Sequence, residues 1–239
     1  MNTSKQKEKE GKTIKSMVDL VGLKLNRIYL SDYLEGLKKI KTKSIDLAFT
    51  DPPYNTNKDF GVYKDNLSEE EYSGRVTRLI NELRRVTKRG FGIYIDWRHF
   101  KMYWDLMPEA DPIIIIKRVP NAASSRLKIA QHYHIILTTA TALRTVKSLW
   151  NDIHFAGELR LFNEERYEHP AQTSFKATKR FIENFSNEKE IILDPFMGTG
   201  TTAVVSAELN RKFIGFELNP DYIRIAEKRL AQVDINNRH

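Results

Sequence analysis

The sequence predicts an α/β protein built on a doubly wound, mostly parallel sheet. Short apolar segments suited to buried strands alternate with amphipathic segments of helical period along most of the chain, which is typical of strand–helix–strand units. Length and composition agree, because 239 residues with 41% hydrophobic content are enough for one large domain with a substantial core.

The first half of the chain shows this alternation clearly. Strands are predicted at 27–30, 45–49 and 92–95, with a helix after each of the first two. Asp32 stands at the first strand-to-helix junction, and the capping-box sequence from Ser68 to Glu71 begins a helix whose apolar stripe runs towards Gly90. The polar segment 55–66 between strand and helix is a candidate mobile lid.

The final third continues the pattern and completes the predicted domain. Helices are predicted at 175–185, 201–209 and 220–230, the last with Asn219 as its N-cap, and strands at 191–193 and 213–216. Residues 1–16 are charged and without periodicity, which predicts a disordered basic tail. Residues 17–239 are expected to form a single domain with a small insertion at about 97–168.

A basic segment lies within this insertion. Between residues 112 and 151 there is no Asp or Glu, although the whole chain has 31 acidic and 39 basic residues and a net charge of +8. Lys and Arg neutralise phosphates while Asn and Ser contact base edges, so the segment is a candidate DNA-binding surface; a solvated basic face is the alternative. The candidate DNA-binding residues are Lys117, Arg118, Asn121, Ser124, Arg126 and Lys128.

Composition also excludes several function classes. The chain contains no cysteine, so disulfides, thiolate metal sites and cysteine nucleophiles are excluded. His132 and His134 alternate on a predicted strand, but no third ligand has a suitable spacing, and no metal site is predicted. The sequence has no apolar run long enough to span a bilayer and no apolar centre of a signal peptide, which predicts a cytoplasmic protein without membrane contact.

The turn that follows the strand at 45–49 carries the first candidate site. Its residues are Asp51, Pro52, Pro53 and Tyr54, at the carboxyl end of a predicted parallel strand, where ligands bind in open α/β sheets. Two prolines fix their own φ angles and donate no hydrogen bonds, so the Asp51 carboxylate and the Pro52 carbonyl form a stiff, acceptor-rich turn. An ordinary strand-ending turn is the alternative.

A glycine-containing loop carries the second candidate site. Residues 194–202 follow a strand and begin a helix, and Gly198 and Gly200 allow a tight turn and a close approach to a ligand. The loop lacks the three spaced glycines of a dinucleotide site and the lysine of a P-loop. Glu217 ends the next strand, where an acid commonly accepts hydrogen bonds from ribose hydroxyls, so a nucleoside cofactor is indicated.

Together the two motifs resemble those of the amino-group DNA methyltransferases that use S-adenosylmethionine. The catalytic motif 51–54 precedes the cofactor motif 194–202, and this order is similar to the permuted β class, in which the intervening segment recognises the target. The resemblance runs from about residue 27 to 230. It implies a Rossmann-like methyltransferase fold, the cofactor S-adenosyl-L-methionine and a target-recognition role for the insertion.

The resemblance also implies roles for individual residues. Glu217 is expected to hold the ribose, Asp32 to lie near the adenine amino group, and Asp194 to orient the cofactor loop. His169 is similar to the family's histidine beside the methionine moiety, but the lysine and proline that usually follow are replaced here by Thr173 and Ser174. The remaining cofactor-binding candidates are Phe196, Gly198, Thr199, Gly200, Thr201 and Thr202.

The predicted reaction is methyl transfer to an exocyclic amine. The Asp51 carboxylate and the Pro52 carbonyl accept hydrogen bonds from the two N–H groups of the amine, and Tyr54 stacks on a base flipped out of the duplex. Methylation at cytosine C5 requires a thiolate and is excluded. An Asp at the first position of the motif is more usual in the family's adenine-N6 enzymes, so adenine is predicted, with cytosine N4 as the alternative.

A different class of function also stays open at the level of sequence. A catalytically silent nucleic-acid-binding protein would retain the same fold, although the intact Asp51 and Tyr54 argue against it. RNA and protein methylation are weaker alternatives, because relatives with those substrates usually place the tetrapeptide after the cofactor loop. The expected partner is double-stranded DNA. Because the recognition segment is short, a short target site, a homodimer and reliance on a partner stay open as alternatives, as does a cognate restriction endonuclease.

Overall fold

The computed structural model describes residues 23–116, 133–152 and 172–236, and within these ranges the chain forms one eight-stranded sheet flanked by helices. The strands are β1 (Arg27–Leu30), β2 (Leu47–Thr50), β3 (Phe91–Ile95), β4 (Asp111–Ile116), β5 (Tyr133–Thr138), β6 (Leu149–Trp150), β7 (Ile191–Asp194) and β8 (Lys212–Glu217). The helices are α1 (Tyr33–Lys38), α2 (Glu69–Val86), α3 (Phe100–Leu106), α4 (Phe175–Phe185), α5 (Thr201–Glu208) and α6 (Pro220–Asn236). None of these helices is long and apolar enough to cross a membrane.

The sheet has the order β1-β8-β7-β2-β3-β5-β4-β6 and is mostly parallel. The exception is β5, which runs antiparallel to both of its neighbours, β3 and β4. The central strands β7 and β2 are buried along their whole length, as near-continuous apolar runs in a parallel sheet should be. Helices cover both faces, which confirms the doubly wound α/β fold class.

The described residues form two large hydrophobic clusters, one on each face of the sheet, and a small third cluster around Met197. On the first face, α1, α2 and α3 pack through residues such as Leu37, Leu79 and Tyr103. On the second, α4 and α5 pack through Phe181 and Val205 against β2 and β7. Side chains of alternate strand residues point to opposite faces, so each buried strand supplies both cores.

Most of the predicted elements are confirmed within one to three residues, and their caps explain why. Ser68 and Glu71 form the predicted capping box of α2, and the Asn219 side chain accepts from the Asp221 N–H at 2.9 Å as the N-cap of α6. Helix α6 continues to Asn236, beyond the predicted end. Helix α3 was not predicted, because it is only seven residues long and its N-cap, His99, makes no side-chain capping bond.

The predicted insertion at about 97–168 lies only partly within the described residues. The described parts of the segment 97–168 supply α3 and the strands β4, β5 and β6, which belong to the common sheet. Residues 1–16, 117–132 and 153–168 lie outside the described residues, so the disordered tail and the recognition segment remain predictions.

The parallel half of the sheet places an acidic residue at the carboxyl end of every strand. Strands β1, β8, β7, β2 and β3 are neighbours and run in one direction. Asp32, Glu217, Asp194, Asp51 and Asp96 stand at or just beyond their ends, in that spatial order. The two predicted motifs, about 140 residues apart in the chain, are therefore adjacent at one edge of the sheet.

Candidate active site

A pocket opens at this edge and is lined by nearly all of the predicted site residues within the described ranges. Those lining it are Asp32, Asp51, Pro52, Pro53, Tyr54, Asp194, Phe196, Gly198, Thr199, Thr201, Thr202 and Glu217. Gly200 belongs to the same loop but does not line the pocket. His169 and the six predicted DNA-binding residues, from Lys117 to Lys128, lie outside the described residues.

The Asp51 carboxylate receives hydrogen bonds from two hydroxyl groups. Tyr54 donates to Oδ1, and Thr173 donates to Oδ2 at 2.9 Å. Burial raises the pKa of Asp51 above its ordinary value, while these two hydrogen bonds and the nearby Lys58 oppose the rise. The group is therefore a partly buried carboxylate at the pocket wall whose orientation is fixed by its donors.

The backbone of the same turn is held from outside. The Nε2 atom of His99, on the turn after β3, lies 3.0 Å from the Tyr54 carbonyl oxygen, and since a carbonyl only accepts, this nitrogen carries the proton. The His99 ring packs on the Tyr72 ring with centroids 4.7 Å apart. The prolines and this contact together keep the turn rigid.

Asp194 is enclosed by donors from its own loop and from β2. Its Oδ1 accepts from the Thr50 hydroxyl at 2.8 Å and from the Phe196 N–H at 3.0 Å, and its Oδ2 accepts from the Thr202 hydroxyl at 2.6 Å. The residue is only 4% exposed, and burial raises its pKa to about 6 despite these bonds. Asp194 therefore ties the glycine loop to the strand that carries Asp51.

The two glycines of the loop serve different purposes. Gly198 has φ +51° and donates its N–H to Glu217 Oε2 at 2.8 Å, within the pocket. Gly200 has φ +85°, and a Cβ there would lie 2.5 Å from the Cβ of Ala226 on α6. Sequence predicted that both glycines approach a ligand; for Gly200 the close approach is to a helix instead.

Glu217 and Asp32 complete the polar wall of the pocket. The Glu217 carboxylate accepts N–H groups from Gly198 and Asn219, each at 2.8 Å, and burial raises its pKa. Asp32 caps α1 by accepting from the Leu34 N–H at 2.9 Å. Each carboxylate retains lone pairs beyond these bonds and can accept from a ligand.

Aromatic rings form the apolar wall. The Tyr33 and Phe196 rings pack with centroids 4.7 Å apart, and both line the pocket with Phe60 and Tyr63. Apolar walls with a few convergent polar groups are typical of small-molecule sites.

The segment 55–66, predicted as a mobile lid, crosses the pocket as an anchored loop. Asp65 is only 1% exposed and accepts the N–H groups of Asn55 at 2.7 Å and Thr56 at 2.8 Å. Further along, the Asn219 side chain donates to the Phe60 carbonyl at 3.2 Å. The loop therefore joins the Asp51 turn to the start of α6 and covers the pocket between them.

Several residues that position the site were missed from sequence. Thr50 and Thr173 contact the two aspartates, and Arg229 on α6, only 8% exposed, donates to the Thr199 carbonyl at 2.6 Å. A short motif gives no signal for such partners, because they come from other elements. Thr50 is the exception, since it directly precedes the Asp51 turn in the chain.

The described residues contain no cluster of three or more His, Asp or Glu side chains suited to a metal ion. The pocket instead combines apolar walls, carboxylate acceptors and a loop that turns through glycines. This set of groups fits a nucleoside with hydroxyl and amino groups, because the carboxylates of Asp32 and Glu217 line the pocket as acceptors beside the glycine loop.

Comparisons with known proteins agree with this geometry. A family model described as DNA methylase matches residues 45–228. The chain is 29% identical over 236 residues to the Type II methyltransferase M.HpaI of Haemophilus parainfluenzae, covering 85% of this chain and 74% of the relative. It is also 29% identical over 246 residues to the DNA adenine methyltransferase YhdJ of Escherichia coli, covering 87% and 84% of the two chains.

A solved structure shares the same fold. The cytosine-N4-specific PvuII DNA methyltransferase superposes with a TM-score of 0.65 over 88% of this chain and 91% of that chain. The two sequences are 18% identical.

Proposed function

The chain belongs to the family of S-adenosylmethionine-dependent amino-group DNA methyltransferases, and from this premise we propose that it methylates the N6 amino group of adenine in double-stranded DNA. The observation that carries the proposal is the position of the Asp51 carboxylate. It lies in the wall of the same pocket as the glycine loop and Glu217, so an acceptor for the amine and a site for the cofactor share one cavity.

The residues of the pocket fit the cofactor. Gly198 brings the backbone to the pocket without a side chain, and Glu217 offers lone pairs suited to ribose hydroxyls. Asp32 would accept from the adenine amino group of the cofactor, and Phe196 would provide an apolar face for its adenine ring. His169 would extend this set beside the methionine moiety. When bound, S-adenosylmethionine supplies a methyl group on a positively charged sulfur, which keeps the electron pair of the carbon–sulfur bond.

Asp51 prepares the target nitrogen for that transfer. The lone pair of an exocyclic amine is delocalised into the base and is a poor nucleophile. When the Asp51 carboxylate and the Pro52 carbonyl accept hydrogen bonds from the two N–H groups of the amine, the nitrogen becomes tetrahedral. Its lone pair can then form the new carbon–nitrogen bond. One nitrogen-bound proton then leaves by way of Asp51 to solvent. Pro53 keeps both acceptors in place, and Tyr54 stacks on the flipped base.

Adenine is the proposed base because the relative YhdJ is named a DNA adenine methyltransferase and aligns with most of this chain. The Asp at the first position of the catalytic motif favours the same base. Cytosine N4 is the second candidate, since the cytosine-N4-specific PvuII enzyme has the same fold. At 18% identity that likeness concerns the fold and carries no argument about the base.

DNA is the partner of this activity, and we extend the proposal to its setting. The basic residues Lys117, Arg118, Arg126 and Lys128 are proposed to contact phosphates, with Asn121 and Ser124 at base edges. Their place in the chain, between the two motifs, is where the family carries target recognition. A cytoplasmic, DNA-associated enzyme that works as a homodimer beside a cognate restriction endonuclease is the corresponding proposal for localisation and partners.

The direct test is nucleoside mass spectrometry. Purified protein is incubated with unmethylated DNA and S-adenosylmethionine carrying a labelled methyl group, and the DNA is digested to nucleosides. We expect labelled N6-methyladenine. The Asp51→Ala variant controls for contaminating enzymes: it should bind the cofactor normally and lose methyl transfer by at least about a hundredfold. Labelled N4-methylcytosine without N6-methyladenine would overturn the choice of base, and normal turnover by the variant would overturn the mechanism.

A further inference from the structure

We propose that Thr173 is a positioning residue for methyl transfer, which holds the Asp51 carboxylate in its reactive orientation and keeps it ionised. This inference rests on the proposed function and adds to it a residue that neither motif contains. Its basis is the hydrogen bond from the Thr173 hydroxyl to Asp51 Oδ2, 2.9 Å long and formed across 122 positions of the chain.

The position of Thr173 is fixed by the helix that follows it. Ser174, only 1% exposed, is the N-cap of α4, and its carbonyl accepts from the Thr178 hydroxyl at 2.9 Å. Deeper in the same helix, Phe181 stacks on Phe49 of β2 with ring centroids 4.4 Å apart. Since β2 ends at the Asp51 turn, donor and acceptor are both attached to one buried packing unit.

Thr173 is also the donor that can persist when the target base is bound. In the structure the Tyr54 hydroxyl donates to Asp51 Oδ1. If Tyr54 turns its ring against a flipped base, this hydroxyl leaves the carboxylate. Thr173 approaches the other oxygen from a different element, so its hydrogen bond does not depend on the orientation of Tyr54.

The surroundings of Asp51 make this donor important. Burial disfavours the charged carboxylate of Asp51. Asp194 on the neighbouring strand is a second acid nearby, and the charge of Asp51 helps to raise the pKa of Asp194. The opposing groups are the two hydroxyls and Lys58, which lines the same pocket. Tyr103 lies behind the site as a further titratable group that senses the charge of Asp51. With Tyr54 moved, Thr173 and Lys58 are the groups left to stabilise the ionised form.

The test is the pH dependence of single-turnover methyl transfer in wild-type protein and in Thr173→Val, which keeps the shape and removes the hydroxyl. In Thr173→Val we expect the acid limb of the pH–rate profile to lie about one pH unit higher than in the wild type. At pH values below the wild-type limb, the rate of the variant should be about tenfold lower. Cofactor affinity should not change. The matched control is Thr173→Ser, which restores the donor and should follow the wild-type profile.

The outcomes are distinguishable. A Thr173→Val profile that coincides with the wild-type profile overturns the inference, and so does a Thr173→Ser profile displaced as far as that of the Val variant. If Thr173→Val does not fold, as judged by the lack of a cooperative unfolding transition, Thr173→Ala replaces it. Its pH–rate profile is then compared with that of Thr173→Ser in the same way. Absence of methyl transfer by the wild type would instead count against the proposed function.

Discussion

Asp51 and Asp194 stand at the carboxyl ends of neighbouring parallel strands, and each is followed by proline, yet their environments differ. Asp194 is closed in by three donors and holds its own loop together. Asp51 has two hydroxyl donors and faces the pocket. The same dipeptide thus fixes a loop at one strand end and presents a reactive acceptor at the other, and the difference lies in which partners surround the carboxylate.

The largest difference in stability is expected when the Asp194 and Asp51 carboxylates are removed in separate variants. Urea denaturation measures the free energy of unfolding of each variant. Asp194→Ala should lower the free energy of unfolding by about 4 kcal/mol, because buried Thr50, Thr202 and the Phe196 N–H all lose their acceptor. Asp51→Ala should cost less than about 1 kcal/mol, since its donors border the pocket and can bond to water. Equal losses in the two variants would contradict the contrast between the two turns.

A second prediction concerns pH. The pKa of Asp194 is raised from 3.8 to about 6 by burial, so the folded state binds its proton more tightly than the unfolded chain. The resulting stability is fully present below the unfolded pKa and is lost as pH rises through about 6. Relative to Asp194→Asn, wild-type unfolding free energy should therefore increase by about 2 kcal/mol as pH falls from about 7 to about 4.

Chemical denaturation of both proteins across this range provides the measurement, and the Asn variant serves as the reference because it retains Asp51 and every other titratable group. A stability difference that stays constant with pH would mean that Asp194 is not the buried, proton-binding group described above.

The smallest effect should come from the bond that joins the two turns. Thr50→Val removes the hydroxyl that donates to Asp194 at 2.8 Å and keeps the β-branched shape that a buried strand favours. We expect a loss of about 1 kcal/mol in unfolding free energy, with methyl transfer changed less than in Thr173→Val. A larger fall in the rate of methyl transfer than in Thr173→Val would show that the hydrogen bond from Thr50 to Asp194 also controls the position of Asp51.

The sequence predicted the framework well, for reasons that particular residues make clear. The capping box at Ser68 and the N-cap Asn219 are local signals, and both helices begin where these residues place them. The strand at 45–49 was recognisable because a strand buried on both faces is apolar throughout. Each motif was predicted to follow a strand, and because these strands are parallel neighbours the two motifs lie at one edge of the sheet.

The parts that sequence did not predict depend on contacts between distant elements. The Thr173 hydroxyl reaches Asp51 only because α4 packs on β2, and no pattern around residue 173 encodes this. The anchoring of the segment 55–66 depends on the buried carboxylate of Asp65 and on Asn219 from a distant part of the chain, which a mainly polar segment does not indicate. The close contact between Gly200 and Ala226 likewise requires the packing of α6 against the loop.

The pairing of β2 with β7 also bears on the order in which the two motifs can occur along the chain. The two strands are parallel neighbours, with Leu47 opposite Ile192 and Ala48 opposite Leu193, so their carboxyl ends meet whichever strand is synthesised first. The site therefore depends on β2 and β7 being neighbours in the sheet, and the order of the two strands along the chain does not affect it. A rearranged chain that reversed the order of the two motifs, while preserving the strand neighbours, would rebuild the same pocket.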